Sequence, residues 1–132
     1  MHKVMALDVG TKRIGIALSD FLQVIAVPHS FISRQPEKNA LEEITRIANE
    51  NRVEKIVVGV PKNMDGSIGY QAEDCIKFSQ KIVGFDIIQE DERLTSEEAE
   101  ERLRERKVDF KKNKGLVDIE SACVILEQYL RR

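Results

Sequence analysis

Apolar residues fill the first third of the chain in runs too short for helices. Lys3–Val9 and Arg13–Ser19 are rich in Val, Ile, Leu and Ala. The three residues between them, Gly10-Thr11-Lys12, suit a hairpin turn. Val24–Ile32 predicts a third strand, and Pro28 inside it assigns that strand to a sheet edge or a bulge, because proline has no amide to donate. From Pro36 the spacing becomes helical: Leu41, Ile44, Ile47 and Ala48 share one face, and Glu42, Glu43, Arg46 and Glu50 lie elsewhere. Lys55–Val60 is a continuous β-branched run, as in a strand covered on both faces.

The second half keeps alternating. A polar loop, Pro61–Gly69, precedes a helix carrying Ala72, Cys75, Ile76, Ser79 and Ile82, with Gly84 placed for a C-terminal cap. Phe85–Glu90 predicts a fifth strand. Thr95-Ser96-Glu97-Glu98 has the spacing of a capping box, opening a helix to about Lys107. Its alternating charges predict a solvated surface. Lys107–Gly115 is basic and poorly periodic, and Val117–Leu130 closes the chain as a helix with Ala122, Ile125, Leu126 and Tyr129 on its apolar face. The order β-β-β-α-β-α-β-α-α predicts an α/β fold, a mixed five-stranded sheet with helices on both faces.

Composition narrows the class. A chain of 132 residues predicts a single domain over 1–132, and 42% hydrophobic with 33% charged residues excludes wholesale disorder. Lys and Arg number 21 against 23 Asp and Glu, so any grip on a polyanion must come from a local patch. No apolar run approaches the ~20 residues that span a bilayer, and Asp8 interrupts the N-terminal run, so a cytoplasmic chain without a signal peptide or membrane partner is expected. Cys75 and Cys123 are too few for a disulfide framework and are expected to pack as small hydrophobes.

The candidate chemistry is acidic. Asp8 lies near the end of the first strand, Asp91 and Glu92 follow the fifth, and Asp118 falls in the first turn of the last helix. Sites in open α/β sheets form outside the carboxyl ends of strands, where these acids can meet. Converging carboxylates repel unless a proton or a divalent cation intervenes, and Mg²⁺ or Mn²⁺ suits oxygen ligands. Spacing alone also allows, and more readily, a turn-forming Asp8 and a helix-favouring Asp118.

The wording around the acids adds to this. Asp8-Val9-Gly10-Thr11-Lys12-Arg13-Ile14-Gly15, Gly59-Val60-Pro61-Lys62-Asn63-Met64-Asp65-Gly66-Ser67, Asp91-Glu92-Arg93-Leu94-Thr95 and the helix from Val117 to Leu126 together resemble the YqgF/RuvX family, in order and over nearly the whole chain. The resemblance implies a ribonuclease H-like fold related to RuvC resolvases. Members are described provisionally as nucleases of pre-16S rRNA, a ribosome-biogenesis role, or as Holliday junction resolvases. It places the catalytic, metal-holding triad on Asp8, Glu92 and Asp118, with Asp91 as the alternative to Glu92, and implies two Mg²⁺ or Mn²⁺ ions serving phosphodiester hydrolysis. Under that reading the nucleic-acid partner, structured RNA or branched DNA, meets Thr11, Lys12, Arg13, Asn63, Arg93, Lys111, Lys112 and Lys114. Cutting a four-way junction at two strands would add a homodimer. Lys62, Gly115 and Ser121 depart from the family's usual wording.

Two other classes compete. Asp8-Val9-Gly10-Thr11 also resembles the phosphate-binding motif of actin- and hexokinase-like phosphotransferases, but these pair two such domains with an adenosine motif. A non-catalytic binding module on the same fold is the other, against which the three acids argue.

Overall fold

Lys3–Val9 (β1) and Arg13–Ser19 (β2) run antiparallel, and the Gly10 amide donates to the Arg13 carbonyl at 2.9 Å to close the turn between them. This is a computed structural model describing residues 1–92, 95–109 and 111–132, apart from the side chains of Thr95 and Ser96. Ala26–Ser33 (β3) pairs with β2 as an edge strand, and the register slips beside Pro28. The strand starts two residues later than its apolar run predicts. The reason is Asp20, whose carboxylate accepts the amides of Val24 and Ile25 at 2.8 and 3.0 Å and holds them in a turn.

After the helix Glu37–Glu50 (α1), Val53–Val60 (β4) lies parallel to β1. The helix Tyr70–Gln80 (α2) leads to Asp86–Asp91 (β5), parallel to β4, giving the order β3-β2-β1-β4-β5. The expected glycine cap is corrected here: α2 ends at Gln80, and Gly84, with φ +94°, turns the chain into β5 instead. Thr95–Glu105 (α3) and Lys114–Leu130 (α4) complete the chain. The capping-box side chains Thr95 and Ser96 lie outside the described residues.

Side chains alternate across each strand, so β1 splits its residues between two cores. Met5, Leu7 and Val9 pack with Ile44, Ile47 and Phe78 beneath α1 and α2. Val4 and Ala6 pack with Ala122, Ile125 and Leu126 of α4 on the opposite face. Helices therefore cover both faces, as the alternation predicts. Cys75 and Cys123 are free and buried, one in each core. Among the described residues no helix is long and apolar enough to cross a membrane.

Helix α4 begins three residues before Val117, which puts Asp118 in its second turn and overturns the reading of Asp118 as a first-turn residue favoured by the helix dipole. Asp109 builds the entry, accepting the amides of Lys111 and Lys112 at 3.1 and 3.4 Å and, at its carbonyl, the Asn113 side-chain amide at 2.7 Å. The Phe31 ring then fills the space that a Cβ at Gly115 would need. Gly115 is thus a packing surface within the helix.

Candidate active site

The face beneath α4 is built to let acids approach one another. Asp8 pairs across the sheet with Gly15, and a Cβ on Gly15 would overlap the backbone carbonyl of Asp118. The missing side chain thus lets α4 rest directly on the sheet beside Asp8. On the other side, Leu7 pairs with Val58 and so brings Asp8 alongside Gly59. A Cβ on Gly59 would lie 2.7 Å from Glu92 Cδ and 2.5 Å from Ile125 Cδ1. Two strand glycines leave room for an acid apiece.

Phase decides between the two acids at the end of β5, whose last residue is Asp91 and not the expected Glu90. Ile88 faces the α4 core and Ile87 the other, so alternation carries Asp91 away from α4 and Glu92 toward it. The Glu92 amide donates to the Val60 carbonyl at 3.2 Å, and its side chain is buried over Gly59. Asp8 is partly buried on the same face.

Electrostatics follow from that crowding. Burial, then the charge of Asp118, raises the Asp8 carboxyl from 3.8 to about 7. Burial, then the charges of Asp8 and Asp91, raises Glu92 from 4.5 to about 9. Among the described residues no basic side chain pairs with Asp8. Asp118, by contrast, is claimed: Arg13 Nε donates to its Oδ2 at 2.6 Å, with the two side chains 31% and 19% exposed. As they stand, no three His, Cys, Asp or Glu side chains of the described residues form a ready-made metal cage.

The basic candidates separate. Arg13, Lys111 and Lys114 line one cavity of about 310 Å³ together with Glu100, Val117 and Asp118. Lys112 is exposed and outside that lining. Thr11 and Lys12 are exposed on the β1–β2 turn, one residue from Arg13 at the nearest. The Asn63 side-chain amide donates to Ser67 Oγ at 2.9 Å, so it organises its own loop. Arg93 lies outside the described residues.

One feature escapes a reading of the sequence. Arg34 is buried, its Nη1 and Nη2 donating to Asp74 at 2.6 and 2.9 Å, and its Nη1 also to the Gly10 carbonyl at 3.1 Å. Its backbone amide donates to the Lys12 carbonyl at 2.9 Å. This arginine fixes the turn that follows Asp8, and no local spacing announces it. Gly15 and Gly59 did carry a signal, since glycine inside a strand marks a close approach.

Comparison with known proteins points one way. The family model RuvX, described as Holliday junction resolvase, matches residues 2–132. A protein of Halothermothrix orenii provisionally named pre-16S rRNA nuclease is 44% identical over 131 residues, covering 97% of this chain and 94% of its own. The Fowlpox virus resolvase in complex with Holliday junction DNA superposes with TM-score 0.61 at 11% identity, over 98% of this chain and 97% of that one. RuvC of T. thermophilus, in complex with a Holliday junction substrate, gives 0.59 at 11% identity over 98% and 94%. These two structures share the fold, which is that of RuvC-like, ribonuclease H-like proteins.

Proposed function

The chain belongs to the RuvX family, and on that premise we propose that it is a metal-dependent nuclease that hydrolyses phosphodiester bonds at the end of pre-16S rRNA, in the cytoplasm. The relatives' names suggest the substrate. The observation that carries the chemistry is the juxtaposition of crowded acids and a basic cavity: Asp8 and Glu92 come together beneath α4, and Asp118, whose charge acts on Asp8, also lines the cavity of Arg13, Lys111 and Lys114.

The donor set fits hard divalent cations. Two mutually repelling carboxylates, with a third within electrostatic reach, are the oxygen ligands that Mg²⁺ or Mn²⁺ takes. Asp8, Glu92 and Asp118 would hold two such ions, which supply a water of lowered pKa and charge to stabilise the leaving oxygen. Asp8 is paired with Gly15 of β2 and directly follows Leu7, which is paired with β4, so it sets the position of the centre. Arg13, Lys111 and Lys114 hold a substrate phosphate beside it, as contacts to the nucleic-acid backbone that carry no sequence information. Thr11 and Lys12 extend that contact along the turn.

A cleavage assay tests this reading, with purified chain, pre-16S rRNA ends and synthetic four-way DNA junctions compared in Mg²⁺, Mn²⁺ and EDTA. Cutting of the RNA ends is expected in either metal and not in EDTA, and an Asp8→Asn variant is expected to be inert. Cutting of junctions alone would favour the resolvase reading, for which the fold shared with two resolvases speaks and which needs two sites on two copies. Equal cutting by the Asp8→Asn variant would remove Asp8 from the chemistry.

A further inference from the structure

Arg13 is held by a carboxylate that the proposed chemistry needs elsewhere. Its guanidinium makes a single side-chain hydrogen bond among the described residues, through Nε to Asp118. Both terminal nitrogens remain available, and the group lines the cavity that Lys111 and Lys114 also enter. A guanidinium presents a planar fork suited to a phosphate's paired oxygens, and it binds a carboxylate with the same donors. The Asp118 backbone is anchored on Gly15, directly across the pair from Asp8. Releasing its carboxylate therefore asks for a side-chain rotation, with the helix left in place.

We propose that Arg13 is a positioning residue that holds Asp118 away from cations until a substrate phosphate enters the cavity and takes the guanidinium in exchange. The inference rests on the metal-dependent reading above. Its consequence is coupling. A phosphate that draws Arg13 off Asp118 raises the affinity for the cation, and by linkage the cation raises the affinity for the phosphate by the same factor. Coupled sites typically differ by about 5- to 150-fold, and a partly exposed ion pair belongs at the lower end. The arrangement would keep the empty chain from assembling a hydrolytic centre without substrate.

The test is a double-mutant cycle read as Mn²⁺ binding, by the loss of the free-ion electron paramagnetic resonance signal. Wild type, Arg13→Gln, Asp118→Asn and the double variant are titrated without nucleic acid, and Lys114→Gln is added as a control for charge removal alone. Thermal melts confirm that each variant is folded. Arg13→Gln is expected to tighten Mn²⁺ binding about five- to tenfold with Asp118 present, to do nothing in the Asp118→Asn background, and to exceed the effect of Lys114→Gln clearly. Equal tightening in both backgrounds, or by Lys114→Gln, would reduce Arg13 to a distant charge and overturn the exchange, while leaving the metal site standing. Absence of Mn²⁺ binding in wild type and every variant would overturn the metal reading and the exchange with it. A second measurement checks the phosphate arm: Ca²⁺ should tighten binding of a labelled 12-nucleotide RNA more in wild type than in Arg13→Gln. An equal gain in the two would refute the exchange.

Discussion

The two faces of the sheet are built to opposite specifications. Beneath α1 and α2 the strands present Met5, Leu7, Ile14, Ile16, Ile56 and Val58, and the described residues of that core number sixteen. Beneath α4 the strands present Val4, Ala6, Ala17 and Val57, with Gly15, Gly59 and Asp8 among them, and the core numbers eight. Large side chains keep helices at a distance and bury much apolar area. Small ones bring α4 down onto the sheet, where its backbone and Ile125 touch the strand glycines. The closeness that sets Asp118 and Glu92 around Asp8 is thus obtained at the expense of hydrophobic burial. One face holds the fold and the other holds the acids.

Substitutions can break this division. Asp8→Asn carries the largest expected effect: cleavage should fall by about 10³-fold or more, since each decade is 1.36 kcal/mol and metal assistance supplies several kcal/mol. Stability by thermal melt should hold or rise in metal-free buffer, because a buried, repelled carboxylate is replaced by a neutral amide of the same shape. A drop of several degrees would show that the acid supports the fold. Phe78→Ala, on the other face, should cost about 3–5 kcal/mol in urea unfolding while leaving the rate of the folded enzyme nearly unchanged. A lost rate at full folding would join the two faces.

Gly15→Ala should do both kinds of damage. Its methyl group meets backbone, which has nowhere to rotate, so a loss of about 1–3 kcal/mol is expected together with a slower cut, because α4 must lift with Asp118. Gly115→Ala meets the Phe31 ring first, which can turn aside, and should cost less. Matching losses in urea would refute the distinction between backbone and side-chain neighbours. Replacing Lys111 and Lys114 together by Ala should weaken RNA and DNA binding about equally and flatten the salt slope by roughly two released counterions, whereas Lys112→Ala alone should change little. Anisotropy titrations at several salt concentrations would expose a wrong assignment if Lys112 mattered as much.

What the sequence made legible was periodic. The strands β1 and β2, the helical stripe of Ile44 and Ile47, and the edge character that Pro28 confers all follow from local pattern, and the structure agrees. The late start of β3 and the early start of α4 trace to side chains bonding backbone, Asp20 and Asp109, whose hydrogen bonds leave no periodic trace. The acids were visible through their place at strand ends and through motif wording. Which of Asp91 and Glu92 faces α4 required strand phase, which a one-residue uncertainty in register inverts. The partners of Arg13 and Arg34 were invisible because their bonds span 105 and 40 residues. Long-range ion pairs have no spacing to read.

Arg34 is where the stable face reaches toward the acidic one, and it yields the most pH-dependent prediction. Its guanidinium lies 5.0 Å from the Phe78 ring centroid, clasps Asp74 of α2, and holds the Gly10 carbonyl next to Asp8. The hydrogen bond from Arg34 keeps the Asp74 carboxyl below its ordinary range, despite partial burial. A carboxyl lowered in the folded chain contributes stability that is present above the unfolded value of about 3.9 and disappears as pH falls through the folded value. Asp74→Asn should therefore cost about 2 kcal/mol at pH 7, the scale of a hydrogen bond to a charged group, and progressively less toward pH 3, as wild type loses the same charge. Some acid dependence should remain in the variant, because Lys81 and Arg34 also lower Glu37. Urea unfolding of both proteins at pH 7, 5 and 3 measures the gap, and one that stayed constant would mean that Asp74 acts by shape alone. At pH 7 the rate of the variant should fall only a few-fold, since a loosened Gly10 turn displaces Arg13 and Asp8 slightly and removes neither.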